Sequence, residues 1–222
     1  MESKRILVVD VGGSNVKALV SGEETPVRKE SGPDFTAQQM VDTVKEITVH
    51  WEYDVITVGT PSVIRQGRIV REPVNLGYGW VDFDFEAAFG KPVKLINDAA
   101  MQAIAVYEGG RMLFLGFGTG LGNAMVIDNV LAPMELGHLP YRKGLTYEEY
   151  VGNAGLERLG KKRWREHVDF IVDMFYNALE PDTVALGGGN AKHIKDIPPY
   201  ARIVPNVSAF IGGFRLWEDV SL

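Results

Sequence analysis

The chain has 222 residues, 45% of them hydrophobic and 23% charged, so it can bury a substantial core in one large domain or two small ones. A net charge of -6 without a basic tail argues against a general nucleic-acid binder, and the absence of cysteine excludes disulfides and thiolate metal sites. No apolar run approaches the ~20 residues that span a bilayer, and the N-terminal MESKRILVVD enters a strand without a signal-peptide core. We therefore expect a soluble cytoplasmic protein that binds neither nucleic acid nor a membrane.

Two similar glycine hairpins are predicted, one in each half of the chain. The first joins strands over Arg5–Asp10 and Val16–Val20, and the second joins Met112–Phe117 to Asn123–Ile127. The segments ILVVDVGGSNVKALV and MLFLGFGTGLGNAMVI match in length, polarity and turn position. This match predicts an internal duplication, in which two halves of the same kind face each other across a cleft.

The rest of the chain predicts helices that alternate with strands, which is typical of α/β proteins. The predicted helices are one within Asp34–Trp51 capped by Asp34 or Thr36, one in DFDFEAAFG ending at Gly90, one in AAMQAIAVYEGG, a single candidate over Tyr147–Gly160, and one from Trp164 to before Pro181. Further strands are predicted at Val55–Val58, Lys91–Ile96, Thr183–Leu186 and near Ile203.

The first glycine turn is a candidate phosphate site. Its glycines would let backbone N–H groups approach a phosphate, Ser14 could donate a further hydrogen bond, and Asp10 could hold Mg²⁺ directly or through water. An ordinary hairpin turn is the alternative. The second turn, GTGLG, could bind a phosphate through its backbone N–H groups in the same way, but it contains no acidic residue. It is not a Rossmann turn, because a strand and not a helix follows it. Two turns in matching frames favour phosphate binding, with the candidate residues Asp10, Gly12, Gly13, Ser14, Lys17, Gly118, Thr119, Gly120 and Gly122.

The pair Asn97-Asp98 lies where the strand KPVKLI ends and a helix begins. A carboxylate there points toward the usual ligand crevice of α/β proteins, and it could accept the proton of a hydroxyl that attacks a phosphoryl group. Alternatively, Asp98 or Asn97 only caps the helix.

Two later motifs, ELGH and the glycine run at 187–189, are further candidates for ligand binding. Glu135 and His138 could bind vicinal sugar hydroxyls, or they could be incidental residues of a solvated loop; a metal site is weaker because no third ligand is near. Gly187, Gly188 and Gly189 indicate close backbone approach or positive φ, as at a nucleotide or a helix N-terminus, with a tight strand-to-helix turn as the alternative.

The main basic concentration is Lys161, Lys162, Arg163 and Arg165, with Arg142 and Lys143 upstream. The solvated face of a helix is the favoured interpretation, and a track for a long anionic donor such as inorganic polyphosphate is the alternative. Trp80 and the aromatics of DFDFE are expected to pack in the core, although Trp80 could equally wall a sugar pocket.

In order, these segments resemble motifs of the ROK family, named for repressors, open reading frames and kinases. DVGGSNVK is similar to its first phosphate motif, NDA to its catalytic motif, GTGLG to its second phosphate motif, ELGH to its sugar motif and VALGGGNA to its late glycine motif. The brevity, the missing cysteines and the tail NVSAFIGGF resemble the polyphosphate-glucokinase group most.

The resemblance implies an α/β, actin-like (ribonuclease H-like) two-lobed fold with a central cleft. Residues 1–98 with about 206–222 would form the N-terminal lobe, and residues 99–205 the C-terminal lobe. It implies Asp98 as the general base for the sugar 6-hydroxyl and, as hydroxyl contacts, Asn75, Asn97, Asp98, Glu135 and His138. A homodimer is also implied.

The chain departs from the family pattern at two places. In typical members, ELGH is followed by a cysteine-rich zinc loop that ends in a sugar-binding Glu. Here LPYRKGLTYEEYVG replaces that loop and contains no cysteine, so we expect no zinc. Glu148 in this segment matches the sugar-binding Glu. Ser62 in GTPS replaces a usual glycine, which bears on sugar specificity. The motifs and the resemblance together imply a Mg²⁺-dependent kinase that uses ATP or polyphosphate and glucose or a similar hexose. The alternatives are a non-catalytic sugar sensor, or a kinase for mannose or an N-acetylated hexosamine.

Overall fold

The computed structural model describes residues 4–73, 76–205 and 209–218, and these divide into two compact units. The first unit takes the chain up to Met101 together with Ala209–Glu218, and the second takes the chain from Gln102 to Pro205. The observed boundary follows Met101, where the sequence prediction placed it after Asp98. Residues 206–208 and 219–222 of the predicted C-terminal return lie outside the described residues.

The first unit contains a five-stranded sheet in the order β3-β2-β1-β4-β7, with antiparallel pairing from β3 to β1 and parallel pairing from β1 to β7. Strands β5 and β6 form a separate small hairpin. The strands are β1 (Ile6–Val11), β2 (Asn15–Val20), β3 (Val27–Glu30), β4 (Val55–Thr60), β5 (Ile64–Arg65), β6 (Arg68–Ile69) and β7 (Val93–Asn97).

The second unit contains a five-stranded sheet in the order β10-β9-β8-β13-β14, and β11 and β12 pair separately. The strands are β8 (Arg111–Phe117), β9 (Leu121–Ile127), β10 (Val130–Pro133), β11 (Pro140–Arg142), β12 (Leu145–Thr146), β13 (Thr183–Gly187) and β14 (Ala201–Ile203).

The two sheets have the same strand order and the same directions. In each, a glycine hairpin is extended by a third antiparallel strand on one side and by two parallel strands on the other. The duplication predicted from the two hairpin sequences is therefore confirmed.

Six helices belong to the described residues, and none of them is both long and apolar enough to cross a membrane. Short 3₁₀ turns cover Leu136–His138 and Ala191–His193. The helices are α1 (Ala37–Ile47), α2 (Phe85–Phe89), α3 (Asp98–Val106), α4 (Tyr147–Val151), α5 (Asn153–Leu179) and α6 (Ala209–Arg215).

Each unit has its own apolar core. In the first, α1 buries Met40, Val41 and Val44 against the sheet, and Trp80 packs among them as expected. In the second, α5 buries Trp164 and neighbouring apolar residues against β8 and β13.

Local signals explain most helix ends. Thr36 and Gln39 form a capping box at the start of α1, and Gly90 ends α2 in the left-handed conformation. The prediction of one helix over Tyr147–Gly160 is wrong at Gly152, which is extended and separates α4 from α5. Its end at Gly160 is confirmed, because Gly160 has a φ of +71° and a ψ of 160° and kinks α5 at that residue. An added Cβ at Gly152 would collide with the backbone oxygen of Thr119, so this break brings the chain close to the second glycine turn.

Candidate active site

In the first unit, three parallel strands end at one edge of the sheet and bring polar residues together. Asp10 of β1 is in register with Gly59 of β4, and Thr60 of β4 is in register with Asn97 of β7. Asp98 follows directly as the first residue of α3. Because the carboxyl ends of parallel strands form the usual ligand crevice, this edge is the candidate site of the first unit.

The first glycine turn is tightly connected to the segment after β3. The N–H of Gly12 donates to the carbonyl of Asn15 (2.9 Å), and the hydroxyl of Ser31 donates to the carbonyl of Gly12 (2.6 Å). The N–H of Ser31 donates to the carbonyl of Ser14 (3.1 Å). The Gly12 N–H is therefore used within the turn, which leaves the backbone at Gly13 and Ser14 as the phosphate-binding candidates.

Asp10 and Lys17 face each other across the hairpin. They are in register on β1 and β2, and Nζ of Lys17 lies 3.5 Å from Oδ2 of Asp10. Burial raises the pKa of Asp10 above its ordinary value, while the charge and the hydrogen bond of Lys17 act against this rise. A carboxylate in such a position gains from a second cation.

Asn97 and Asp98 both accept hydrogen bonds at the start of α3, and Asn97 makes two of them. Its Oδ1 accepts from the N–H groups of Ala99 (3.0 Å) and Ala100 (3.2 Å). Oδ1 of Asp98 accepts from the N–H of Ala99 (2.8 Å), within the first turn. The helix end thus has its side-chain cap in Asn97.

The loop after β4 is tied to Asn97. Nδ2 of Asn97 donates to the carbonyl of Ser62 (3.3 Å), and Oγ of Ser62 lies 3.4 Å from Oγ1 of Thr60, with both hydroxyl residues buried. A serine in place of glycine thus adds a buried hydroxyl beside Asn97. This link was not identified from the sequence.

Asn75, a predicted sugar contact, lies outside the described residues. The loop that follows it is organised by Glu72, whose carboxylate accepts from the N–H groups of Gly79 (3.1 Å) and Trp80 (3.0 Å). The indole N–H of Trp80 donates to the carbonyl of Phe35 (3.2 Å), and Trp80 is fully buried. Trp80 therefore packs in the core.

In the second unit, the second glycine turn is connected to the start of α5. The N–H of Gly118 donates to the carbonyl of Gly120 (3.1 Å), and the N–H of Asn153 donates to the carbonyl of Gly118 (2.9 Å). A helix N-terminus carries partial positive charge and favours anions, so its position beside the turn suits phosphate binding.

The late glycine segment packs on the same turn. Gly188 has a φ of +84°, and an added Cβ would collide with the backbone of Phe117 at the end of β8. The N–H of Asn190 donates to the carbonyl of Phe117 (2.9 Å), and its Nδ2 donates to Gly118 (3.4 Å) and to Oδ1 of Asn153 (2.8 Å). Positive φ and close backbone approach are thus both present here.

Three predicted sugar-binding residues form one cluster in the second unit. Nδ1 of His138 lies 3.6 Å from Oε2 of Glu135, and its Nε2 lies 3.6 Å from Oε1 of Glu148. An added Cβ at Gly120 would lie 2.5 Å from Oε2 of Glu148. The candidate sugar cluster therefore lies beside the candidate phosphate turn.

Buried Asn123 holds the start of this cluster, although no sequence motif marks it. Its Oδ1 accepts from the N–H of Leu136 (3.1 Å), and its Nδ2 donates to the carbonyl of Leu121 (3.0 Å). The 3₁₀ turn that carries His138 is thereby attached to β9.

An aromatic cluster holds the hairpin β11–β12, which lies between His138 and Glu148. The Tyr141 ring stacks on Tyr147 with centroids 4.8 Å apart, and its hydroxyl lies 2.9 Å from Nδ1 of His167 on α5. Tyr150 packs edge-on at 5.0 Å. This packing attaches the hairpin and α4 to the long helix.

The described residues contain no group of three or more His, Asp or Glu side chains that could hold a metal ion. Asp10 is a single carboxylate at a strand end beside a candidate phosphate turn. Mg²⁺ is commonly held by one or two carboxylates with water and substrate phosphates, so Asp10 fits such an ion.

No protein-family model matches the chain. The polyphosphate glucokinase of Mycobacterium tuberculosis is 26% identical over 224 residues, which cover 90% of this chain and 84% of the relative. The inorganic polyphosphate/ATP-glucomannokinase of Arthrobacter sp. strain KM has a TM-score of 0.80 at 22% identity over 96% of this chain and 97% of that chain. A ROK family glucokinase of Streptomyces griseus, solved with glucose and AMPPNP, has a TM-score of 0.70 at 16% identity over 95% and 97% of the two chains.

The sequence relationship extends over most of the chain, and the structural agreement includes the two-sheet α/β architecture. The resemblance drawn from the motifs is therefore confirmed: the chain is similar in sequence to the polyphosphate glucokinases, and it has the actin-like fold seen in the ROK sugar kinases.

Proposed function

We propose that the chain is a hexose kinase that transfers a phosphoryl group from polyphosphate or ATP to the 6-hydroxyl of glucose or a similar hexose. The observation that carries this proposal is that Glu148, in the candidate sugar cluster, lies beside Gly120, in the candidate phosphate turn, so closely that a side chain at Gly120 would collide with it. Transfer requires the acceptor and the donor to be bound next to each other. The names of the relatives independently support a glucose kinase.

The second glycine turn binds the donor phosphates in this proposal. An added Cβ at Gly118 would meet no described atom within 4 Å, so packing does not require a glycine there. A bound ligand would require a glycine at this position, because a phosphate can reach the backbone N–H groups only where no side chain is in the way. The N-terminus of α5 adds a favourable field for the negative charge.

Asp10 and the first glycine turn act on the transferred phosphoryl group. The backbone at Gly13 and Ser14 donates to its oxygens, and Lys17 contributes positive charge. Asp10 would hold Mg²⁺, which when bound neutralises charge that develops on the phosphate oxygens.

Asp98 is the general base. Its carboxylate accepts the proton of the sugar 6-hydroxyl while that oxygen forms a bond to the terminal phosphorus. The bond from phosphorus to the bridging oxygen breaks, and its electrons remain on the shortened donor. Support for this role comes from its position: Asp98 is the first residue of α3, directly after β7, at the edge where the parallel strands of the first unit end.

Glu135, His138 and Glu148 bind sugar hydroxyls. Carboxylates accept hydrogen bonds, and the imidazole both donates and accepts in its neutral form, so the cluster suits neighbouring hydroxyls. Asn97, held by Ser62, and Asn75 contribute further contacts in this proposal.

A product assay with several donors and sugars tests the proposal. The purified chain is incubated with Mg²⁺ and ATP, GTP or long-chain polyphosphate, each against glucose, mannose and N-acetylated hexosamines. We expect sugar 6-phosphate with glucose and either polyphosphate or ATP. Glucose binding by calorimetry without product from any donor would favour a sensor and contradict the proposal.

A further inference from the structure

A group of basic side chains on α5 and the following 3₁₀ turn is not paired with acids, in a chain whose net charge is -6. Among the described residues, none of these side chains forms an ion pair with a carboxylate. All of them are exposed apart from Arg165, which is half-buried. They are Lys161, Lys162, Arg163, Arg165, Lys192 and Lys195.

Part of this group converges around His193. Lys161 and Arg165 are four residues apart on α5 and share one side of the helix, while Lys192 and His193 lie on the 3₁₀ turn Ala191–His193. Burial, followed by the charges of Lys161, Lys192 and Arg165, lowers the pKa of His193. We call Lys161, Arg165, Lys192 and His193 the basic face.

Core packing holds the two elements of the basic face together. Ala191 and Ile194, on either side of Lys192 and His193, are buried in the same cluster as Trp164 and Val168 of α5. The core therefore sets the relative position of the two backbone segments that carry its cations. The positive charge of Arg165 also interacts with the carboxylate of Asp169. We therefore take Lys161 and Lys192 as the main anion-binding groups of the basic face.

The basic face begins beside the second glycine turn. Asn190 stands two residues before Lys192, and its side chain donates to the carbonyl of Gly118 (3.4 Å). Its backbone N–H donates to the carbonyl of Phe117 (2.9 Å). An anion bound at the turn can thus extend onto the basic face within the same unit.

We propose that the basic face binds the part of a linear polyphosphate chain that lies beyond the phosphates held at Gly118–Gly122. This proposal rests on the proposed kinase function. Polyphosphate carries negative charge along its whole length, whereas the charge of ATP ends at three phosphates, so further cations help only the longer donor. A solvated helix face usually pairs opposite charges one turn apart, and among the described residues neither Lys161 nor Arg165 forms such an ion pair within 4.0 Å.

Two double variants with equal loss of charge provide the test. Lys161→Ala with Lys192→Ala removes the two main cations of the basic face. Lys162→Ala with Arg163→Ala removes two cations from other sides of the same helix. Initial rates are measured at saturating glucose with long-chain polyphosphate, tripolyphosphate and ATP.

We expect the first double variant to raise KM for long-chain polyphosphate about tenfold, which corresponds to roughly 0.7 kcal/mol for each lost exposed ion pair. Its KM for ATP and tripolyphosphate should not change, and the second double variant should match the wild type with all three donors. An equal rise with ATP, an equal rise in the second variant, or no rise in either would overturn the proposal.

A binding measurement separates this proposal from the kinase function. The imidazole of His193 is titrated by NMR with and without long-chain polyphosphate, in the wild type and in the first double variant. An upward shift of the His193 pKa in the wild type, reduced in the variant, supports the basic face even if no donor gives turnover. An unchanged pKa overturns it even if the protein is an active kinase.

Discussion

Nε2 of His138 lies 3.6 Å from Oε1 of Glu148, although the residues are on different elements, a 3₁₀ turn and α4. Two connections maintain this pairing: Asn123 attaches the turn to β9, and the N–H of Tyr147 donates to the carbonyl of Leu139 (3.1 Å). The pair is thus part of the folded second unit.

Replacing Glu148 with Gln should weaken sugar binding more than turnover. The substitution keeps the size of the side chain and removes its charge, and a hydrogen bond to a charged group contributes about 1.5–3 kcal/mol. We expect the dissociation constant for glucose, measured by calorimetry, to rise about tenfold or more. Glu157→Gln, on the exposed surface of α5, is the control; equal glucose affinity in both variants would argue against Glu148 as a sugar ligand.

Asn97→Ala should destabilise the first unit, because α3 loses its side-chain cap and the loop at Ser62 loses a hydrogen bond. A lost cap costs about 1 kcal/mol in the free energy of unfolding. Urea unfolding measures the change. Asn97→Asp keeps the accepting oxygens and should recover most of the loss; a destabilisation as large as that of Asn97→Ala would contradict the capping role.

Replacing Asp10 with Asn should have opposite effects on stability and on activity. Because burial raises its pKa in the folded state, the unfolded chain releases this proton more readily, and stability falls as pH rises from the unfolded pKa through the folded pKa. Asp10→Asn should therefore stabilise the protein at neutral pH.

The same variant should lose Mg²⁺-dependent turnover. In the wild type, the Mg²⁺ concentration needed for half-maximal rate should rise on acidification, beginning above the ordinary pKa of aspartate. Rates over a series of pH values and Mg²⁺ concentrations check this. Normal Mg²⁺ dependence in Asp10→Asn would remove Asp10 from the proposed metal site.

Tyr141 should act as a positioning residue for Glu148. Tyr141→Phe loses the hydrogen bond to His167, about 1 kcal/mol, and keeps the ring packing. Tyr141→Ala also loses contacts with Tyr147 and Tyr150, so its unfolding free energy should fall further and its KM for glucose should rise. If Tyr141→Ala folds and keeps the wild-type KM for glucose, the positioning role is wrong.

Local patterns in the sequence explain how much of the fold could be predicted. The glycine hairpins, the Thr36 cap and the Gly90 stop depend on neighbouring residues, and the similarity of the hairpins led correctly to the duplication. The close approach of Gly152 to Thr119 has no local signal, because the two residues are 33 positions apart in the sequence (152 minus 119).

The candidate site could be predicted only in part, for the same physical reason. The chemistry-bearing residues Asp10, Asp98 and His138 stand out by type and by position at the ends of elements. The residues that hold them, such as Asn123, Asn190 and Tyr141, act through contacts between segments distant in sequence. No periodicity or motif marks such contacts in a single sequence.

Turnover of Asp98→Asn with glucose tests the central claim most directly. The variant keeps the shape of the side chain and removes the base, so kcat should fall by about 10²–10⁴-fold while calorimetry shows glucose binding close to that of the wild type. Asp42→Asn, on the exposed side of α1, should behave as the wild type. A folded Asp98→Asn variant with a kcat near the wild-type value would contradict the assignment of Asp98 as the general base.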